Sequence, residues 1–273
     1  MTLLVRDEQD IIRANIAYHL SQGVDFFIAM DNRSEDETPG ILKSYEAKGL
    51  LRYIYQGDDD YNQHAWVTRM ARMAYTDHGA DWVINNDADE FWWPIEGSLH
   101  ETLATLPADI NILRARRHNF PAVEPSDVPF YHRMIYRDRV SLNSIGRPLP
   151  PKVAHRGCAD IIVAQGNHAV KGLANPKVSE GQIEIFHFPV RSYDQIENKI
   201  VKGGAAYENN RELPDVAGRT WRQRYQDLKR DSNLNSYYEE CCHDESRRAA
   251  KLASGEILVD RRLSEHFATR LGR

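Results

Sequence analysis

The chain is poor in cysteine, with three in 273 residues: Cys158, Cys241 and Cys242. An odd count with two of them adjacent gives no disulfide framework, and a reducing cytoplasm is the simplest compartment for it. Long apolar runs are missing too. No stretch approaches the roughly 18 residues of a membrane-spanning helix, and the apolar start Met1 to Val5 is too short for a signal peptide. There is no basic surplus. A net charge of −5 argues against a general nucleic-acid binder. The phosphate-binding P-loop, the Gly-x-Ser-x-Gly elbow and the His-Glu-x-x-His pair are all absent, as are internal repeats and low-complexity segments. What remains is 41% hydrophobic and 27% charged, an ordinary soluble composition with enough apolar residues for a sizeable core. The length allows one large domain or two small ones.

The first 90 residues alternate between strand and helix patterns. Leu3 to Val5 is a short apolar run, and Ile11, Ile12, Ile16, His19 and Leu20 then fall near one helical face that Gly23 closes. Val24 to Met30 reads as a buried strand. Thr38-Pro39 starts a second helix ending at Gly49, and Leu50 to Tyr55 is a third strand. Gln63 to His78 is a helix, and a fourth strand follows Gly79. Such alternation predicts an α/β fold with a mostly parallel sheet covered by helices on both faces.

The fourth strand carries the densest information. Trp82-Val-Ile-Asn-Asn-Asp-Ala-Asp-Glu-Phe-Trp-Trp-Pro94 runs from apolar residues straight into acid. Asp87 and Asp89 flank a single small residue. An isolated Asp-x-Asp is more often a solvated turn. Here, however, the polar segments Arg6-Asp7-Glu8 and Asp31-Asn32 also end strands of the same expected sheet, at the edge where α/β folds bind ligands. Carboxylate oxygens at such a place suit Mg²⁺ or Mn²⁺ completed by substrate phosphates. The expectation is an enzyme acting on a phosphorylated, nucleotide-linked substrate.

The second half is less regular. Ile110 to Ala115, Tyr131 to Tyr136, Lys152 to His155 and Ile183 to Phe188 read as strands. Ile161 to Ala164 and His168 to Val170 flank a tight hairpin at Gly166-Asn167. Ser192 resembles the N-cap of a helix through Ile196, Ile200 and Val201. From about residue 205 the pattern is helical and charged, so the expected division is a main domain, 1–204, with a helical C-terminal extension, 205–273.

Five segments together resemble the family 2 glycosyltransferases, in particular the bacterial branch related to the family 92 type. They are Val5-Arg6-Asp7-Glu8; Tyr18-His19-Leu20 with Gly23-Val24-Asp25; Asp31-Asn32-Arg33-Ser34-Glu35-Asp36-Glu37-Thr38; Asp87-Ala88-Asp89-Glu90-Phe91; and His187-Phe188-Pro189-Val190-Arg191-Ser192. Many relatives have a glycine before the serine where this chain has Arg33. The resemblance implies a GT-A fold, a UDP- or GDP-sugar donor and Mn²⁺ or Mg²⁺. It also implies a base contact at Asp31, a ribose and metal contact at Asp87, and direct ligation by Asp89. Val5, Arg6 and Glu8 would line the nucleotide.

Breaking the bond to a diphosphate builds negative charge on the leaving group, which calls for a cation and basic residues. His187 is the first candidate for a further metal ligand and His168 the alternative; either could equally be a core histidine. Arg191, Lys199 and Lys202 are candidates for the diphosphate, and Arg69 could reach it, against the plainer reading of solvated helix faces. Inverting transfer needs a general base, for which Glu124 and Asp127 are the candidates, with Asp160 behind them. Glu90, Trp92 and Trp93 could contact a sugar or support the site from beneath. A glycan or lipid-linked acceptor in surface-polysaccharide synthesis fits this chemistry. Peripheral membrane docking is allowed through Trp92-Trp93 or the basic 219–230 segment (Arg219, Arg222, Arg224, Lys229, Arg230). The alternatives are a nucleotidyltransferase, disfavoured by the lack of a glycine-rich loop after the first strand, and a non-catalytic nucleotide- or glycan-binding module.

Overall fold

The computed structural model describes residues 1–60, 62–143, 146–210 and 218–271. In chain order its elements begin β1 (Thr2–Val5), α1 (Ile12–Ser21), β2 (Phe27–Asp31), α2 (Thr38–Glu46), β3 (Leu51–Tyr55), α3 (Gln63–Thr76) and β4 (Trp82–Asp87). Then come β5 (Glu90–Pro94), α4 (Leu99–Ala104), β6 (Ile112–Asn119), α5 (Phe130–Arg133), β7 (Tyr136–Asp138), β8 (Lys152–Arg156) and β9 (Ile162–Val163). A 3-10 turn, Gln165–Asn167, leads to β10 (Val170–Lys171) and β11 (Val178–His187). The remainder is α6 (Tyr193–Asn209), α7 (Arg219–Asp231), α8 (Asn235–Cys241), α9 (Glu245–Ser254), β12 (Ile257–Val259) and α10 (Arg262–Leu271).

The expected α/β architecture is present. Eight strands form one sheet in the order β3-β2-β1-β4-β8-β6-β11-β5. Pairings β3 with β2, β2 with β1 and β1 with β4 are parallel, and β8 joins β4 and β6 antiparallel. Successive residues of β4 face opposite cores, as a strand's period of two requires. Val83 packs with Ile28, Met30 and the buried α3 residues Trp66, Val67, Met70, Ala71 and Ala74. Ile84 packs with Trp92, Leu99, Leu103, Leu113, Ile183 and Ile185. The spacing of the α3 residues is that of one helical stripe. The hairpin at Gly166-Asn167 also forms, with β9 antiparallel to β10.

The chain divides into two compact units, Met1–Arg117 with Pro150–Phe186, and His118–Leu149 with His187–Arg273. The division at residue 204 read from the sequence is a different partition. Residues 150–186 return to the first unit because β8 and β11 complete its sheet, a long-range pairing that no local pattern encodes.

Within the second unit, residues 131–136 are not the strand expected. Pro129 begins a short helix, α5, and β7 starts only at Tyr136. A proline with φ preset near the helical value favours a helical turn, and the Phe130 ring lies against Phe188, 5.1 Å between centroids. Ser192 does cap α6, accepting from the Gln195 N–H. The basic 219–230 segment is α7, and its cations are taken up locally. Lys229 pairs with Glu208, Arg230 with Asp227 and Asp231, Arg224 with Asp227, and Arg222 lies over the Tyr207 ring. Among the described residues, no helix is long and apolar enough to cross a membrane.

Gly157 follows β8 and seats that strand against the loop before β4, its N–H donating to the Asp81 carbonyl at 2.9 Å. A Cβ there would lie 2.0 Å from the Ala80 carbonyl oxygen and 2.6 Å from the Tyr75 ring. Gly157→Ala is expected to cost about 1–3 kcal/mol, measured by urea unfolding; an unchanged midpoint would contradict the close approach.

Candidate active site at the acid turn

The parallel register brings three strand ends to one edge. Leu4 pairs with Asp87 and with Met30, and Val5 pairs with Asp31. Asp31 and Asp87 therefore flank β1, two strand spacings apart, or roughly 10 Å. On the other side of β4, the pairing Ile84 with Ala154 carries Lys152 to the level of Asn86. The candidate site is assembled at this edge of the first unit.

Ala88 and Asp89 link β4 to β5, and a buried polar network from α1 fixes that link. Asn15 donates from Nδ2 to the carbonyls of Ala88 (2.9 Å) and Glu90 (2.8 Å). Its Oδ1 accepts from Asn86 Nδ2 at 3.2 Å, and Asn86 Oδ1 accepts from the Trp92 indole at 3.0 Å. His19 donates from Nδ1 to Asn15, and its Nε2 accepts from the Trp92 N–H at 3.1 Å. All these groups are buried. Buried polar groups persist when they are hydrogen-bonded, so the turn has one permitted backbone path.

The acids of the turn meet one buried cation and one partly buried one. Lys152, its side chain 2% exposed, bonds Asp87 Oδ2 and lies 3.3 Å from Glu90 Oε1. Arg117 lies 3.4 Å from the same Glu90 oxygen and also holds the Pro150 carbonyl. Asn167 donates to Asp87 Oδ1 at 3.1 Å from a backbone with φ of 61°. Burial pushes the Glu90 carboxyl up to about 7, with Lys152 opposing the rise and Asp87 adding to it. Two buried acceptors, Glu90 Oε2 and Asn167 Oδ1, have no hydrogen-bond partner. Among the described residues, no group of three or more His, Cys, Asp or Glu is arranged to hold an ion. Two carboxylates with unmet oxygens beside them nonetheless suit a hard cation that keeps positions open for phosphate. His168 belongs to these surroundings. Its ring contacts the Pro151 carbonyl through Nδ1, and burial, then Lys152, lowers it to about 4, so it is neutral at pH 7.

Two of the family-like segments, the loops after β1 and β2, are bonded to each other. Asp7 N–H donates to Ser34 Oγ and Glu35 N–H to Asp7 Oδ1; Glu8 N–H donates to Thr38 Oγ1. Asp31 accepts from the Ser34 N–H at 3.0 Å and from the Tyr53 hydroxyl at 2.7 Å. Arg6 and Arg33 both pair with Asp59, at 2.6 and 3.0 Å. Val5 and Glu8 are buried. Arg33 has φ of 60°, a left-handed conformation that glycine adopts more readily than a residue with a Cβ.

Several candidates take other places. Trp92 is 0% exposed in the core, and Trp93 is stacked between Tyr18 and Phe186, so neither presents a free face to a sugar. Glu90, at 0% exposure, is the buried centre of the charge cluster, not a sugar contact. Arg191 is 1% exposed and donates to the Phe188 carbonyl, a fold-holding arginine that is closed to a diphosphate. Arg69 lines an α3 surface groove with Arg72, Asp77 and Ile162, to which no acid-turn residue contributes. In the second unit, Lys199 lies over the Trp221 ring, Lys202 is half-buried on α6, and Glu124 and Asp127 are exposed, Glu124 accepting from the Cys242 thiol. His187 there bonds Asn119 Oδ1 at 2.7 Å. Lys152, Asn167, Arg117 and Asn15 were not singled out by the sequence reading. The available signal was a lysine opening a short strand, Lys152-Val153-Ala154-His155, directly after Pro150-Pro151.

Aspartates therefore stand at the carboxyl edge of parallel strands, beside counter-charge and a braced pair of loops. The chain matches glycosyltransferase family 92 over residues 2–232 and belongs to that family. No protein of curated function matches it. Among solved structures it is similar to S. aureus TarS 1-349 in complex with UDP-GlcNAc: 12% identity, 86% of this chain and 73% of that chain, TM-score 0.41. It is also similar to TarS 1-349 in complex with UDP: 12% identity, 84% and 71%, TM-score 0.38.

Burial lowers the His19 imidazole from 6.5 to about 3. The unfolded chain thus binds a proton that the native state refuses, and the His19 contribution to stability is full above pH 6.5 and lost as pH falls toward 3. Glu90, raised in the folded state, acts in the opposite sense and is common to both proteins compared. His19→Gln is expected to lose less unfolding free energy than the wild type between pH 6.5 and 5, by about 2 kcal/mol. Parallel urea titrations at those two pH values check this, and equal losses would contradict a neutral buried His19.

Proposed function

We propose that this family 92 protein transfers a sugar from a UDP- or GDP-sugar to a hydroxyl of a glycan or lipid-linked acceptor, with inversion and with Mn²⁺ or Mg²⁺ at Asp87 and Asp89. The observation that supports this reading best is the acid turn itself: two aspartates at the carboxyl edge, locked by Asn15 and flanked by unmet acceptor oxygens. Family membership supplies the reaction class. A divalent cation bound there would stabilise the charge growing on the departing diphosphate.

The chain's own residues supply the rest. Asn15 and Asn86 orient the turn, and Lys152 and Arg117 keep Glu90 and Asp87 from repelling each other apart. Neutral His168 is the histidine found beside these charges, and it takes precedence over His187 as a further ligand. The loops tied by Asp7, Ser34 and Thr38 shape the nucleotide end, with Asp31 at its base. Glu124 or Asp127 serves as general base. The nucleotidyltransferase alternative falls with the family assignment.

Asp89→Ala and Asp87→Ala are expected to lower donor turnover by about a hundredfold or more while melting cooperatively. UDP or GDP with Mn²⁺ should raise the wild-type melting temperature in proportion to its saturation. Near-normal turnover in either variant would remove the acid turn from the mechanism.

A further inference from the structure

Lys152 is a buried lysine in an unusual position. Its ammonium bonds Asp87 Oδ2 and approaches Glu90 Oε1 at 3.3 Å. Asn167 occupies the other Asp87 oxygen. Both oxygens of the first aspartate are thus engaged by the protein itself. The neighbouring Glu90 has one oxygen, Oε2, that is buried and unpartnered, and the Asn167 amide oxygen is in the same condition. Removing a charge from water is costly unless it is paired, so Glu90, its side chain 0% exposed, needs a cation beside it with or without metal.

We propose that Lys152 is a built-in counter-ion of the acid turn. Its ammonium takes the place beside Asp87 that a divalent cation would take, and it transfers wholly to Glu90 when that cation enters. The unmet Glu90 Oε2 gives it a destination, and a flexible four-carbon stem with three rotatable donors gives it the means. Lys152 and Arg117 against Asp87, Asp89 and Glu90 leave the cluster at a formal net −1; a divalent ion on Asp87 and Asp89 would take it to net +1, a surplus that the donor diphosphate offsets. The competition sets metal affinity low in the absence of donor, so that donor phosphates are needed to complete tight binding. This inference rests on Asp87 and Asp89 being cation ligands.

The test is Mn²⁺ titration of nucleotide-free protein, followed by calorimetry and by the free-Mn²⁺ electron paramagnetic resonance signal. Lys152→Met should bind Mn²⁺ at least about tenfold more tightly than the wild type, because one repelling charge a few ångströms from the ion is gone. Lys152→Arg, which keeps the charge, should stay within about threefold of the wild type by the same reasoning. Adding Asp89→Ala to Lys152→Met should abolish the gain. If Lys152→Met does not fold, the double variant Glu90→Gln/Lys152→Met, which keeps the wild-type net charge, is compared with Glu90→Gln. Wild-type binding with unchanged or weaker affinity in the Met variants overturns the counter-ion role and leaves the metal site standing. No Mn²⁺ binding by any of these proteins overturns both.

Discussion

The side-chain amide of Asn15 holds the acid turn in place. One nitrogen of α1 donates to two carbonyls on either side of Asp89, and one oxygen receives Asn86 and His19. A helix thereby dictates the backbone of a turn far along the chain. Removing such a donor leaves two buried carbonyls unsatisfied, each worth about 1–3 kcal/mol. The aspartates are aimed by this network, and the sheet merely delivers them to the edge.

Charge placement follows from that constraint. Three carboxyls within four residues would repel one another in a dry interior, and Lys152 and Arg117 converge on them from β8 and β6. Glu90 remains the least satisfied member, pushed up to about 7 by its burial. Stored negative potential of this kind raises the local concentration of cations. The loops after β1 and β2 use their own polar side chains differently. Asp7, Ser34, Asp36 and Thr38 are engaged with backbone N–H groups, so much of that motif builds the shape of the loops.

The strand and helix alternation through β4 was legible because each element carries its own period and its own punctuation: Gly23, Pro39, Gly49 and Gly79. The acid turn was legible for the same reason, an apolar run ending in Asp87 and Asp89. The partners of that turn were not. Asn15 and His19 sit on a helical face that reads as apolar, and their polarity makes sense only once Trp92 is seen packed against them. Lys152 reaches Asp87 through an antiparallel register set across the sheet. The strand β5 was hidden because Phe91, Trp92 and Trp93 are apolar on both faces, and a strand buried on both sides loses its alternation. Its successor α4 did announce itself, through the Ser98 and Glu101 capping box, a signal the sequence reading passed over. The second unit was hardest, since α5 arises from Pro129 and aromatic packing and not from any apolar period.

The most direct measurement is an anomalous-difference map from crystals grown with Mn²⁺ and a nucleoside diphosphate. The account requires a peak about 2.1 Å from carboxylate oxygens of Asp87 or Asp89, with the diphosphate on its far side and the base toward Asp31. Nucleotide bound elsewhere, or bound at this edge with Lys152 still on Asp87 and no metal peak, would contradict it.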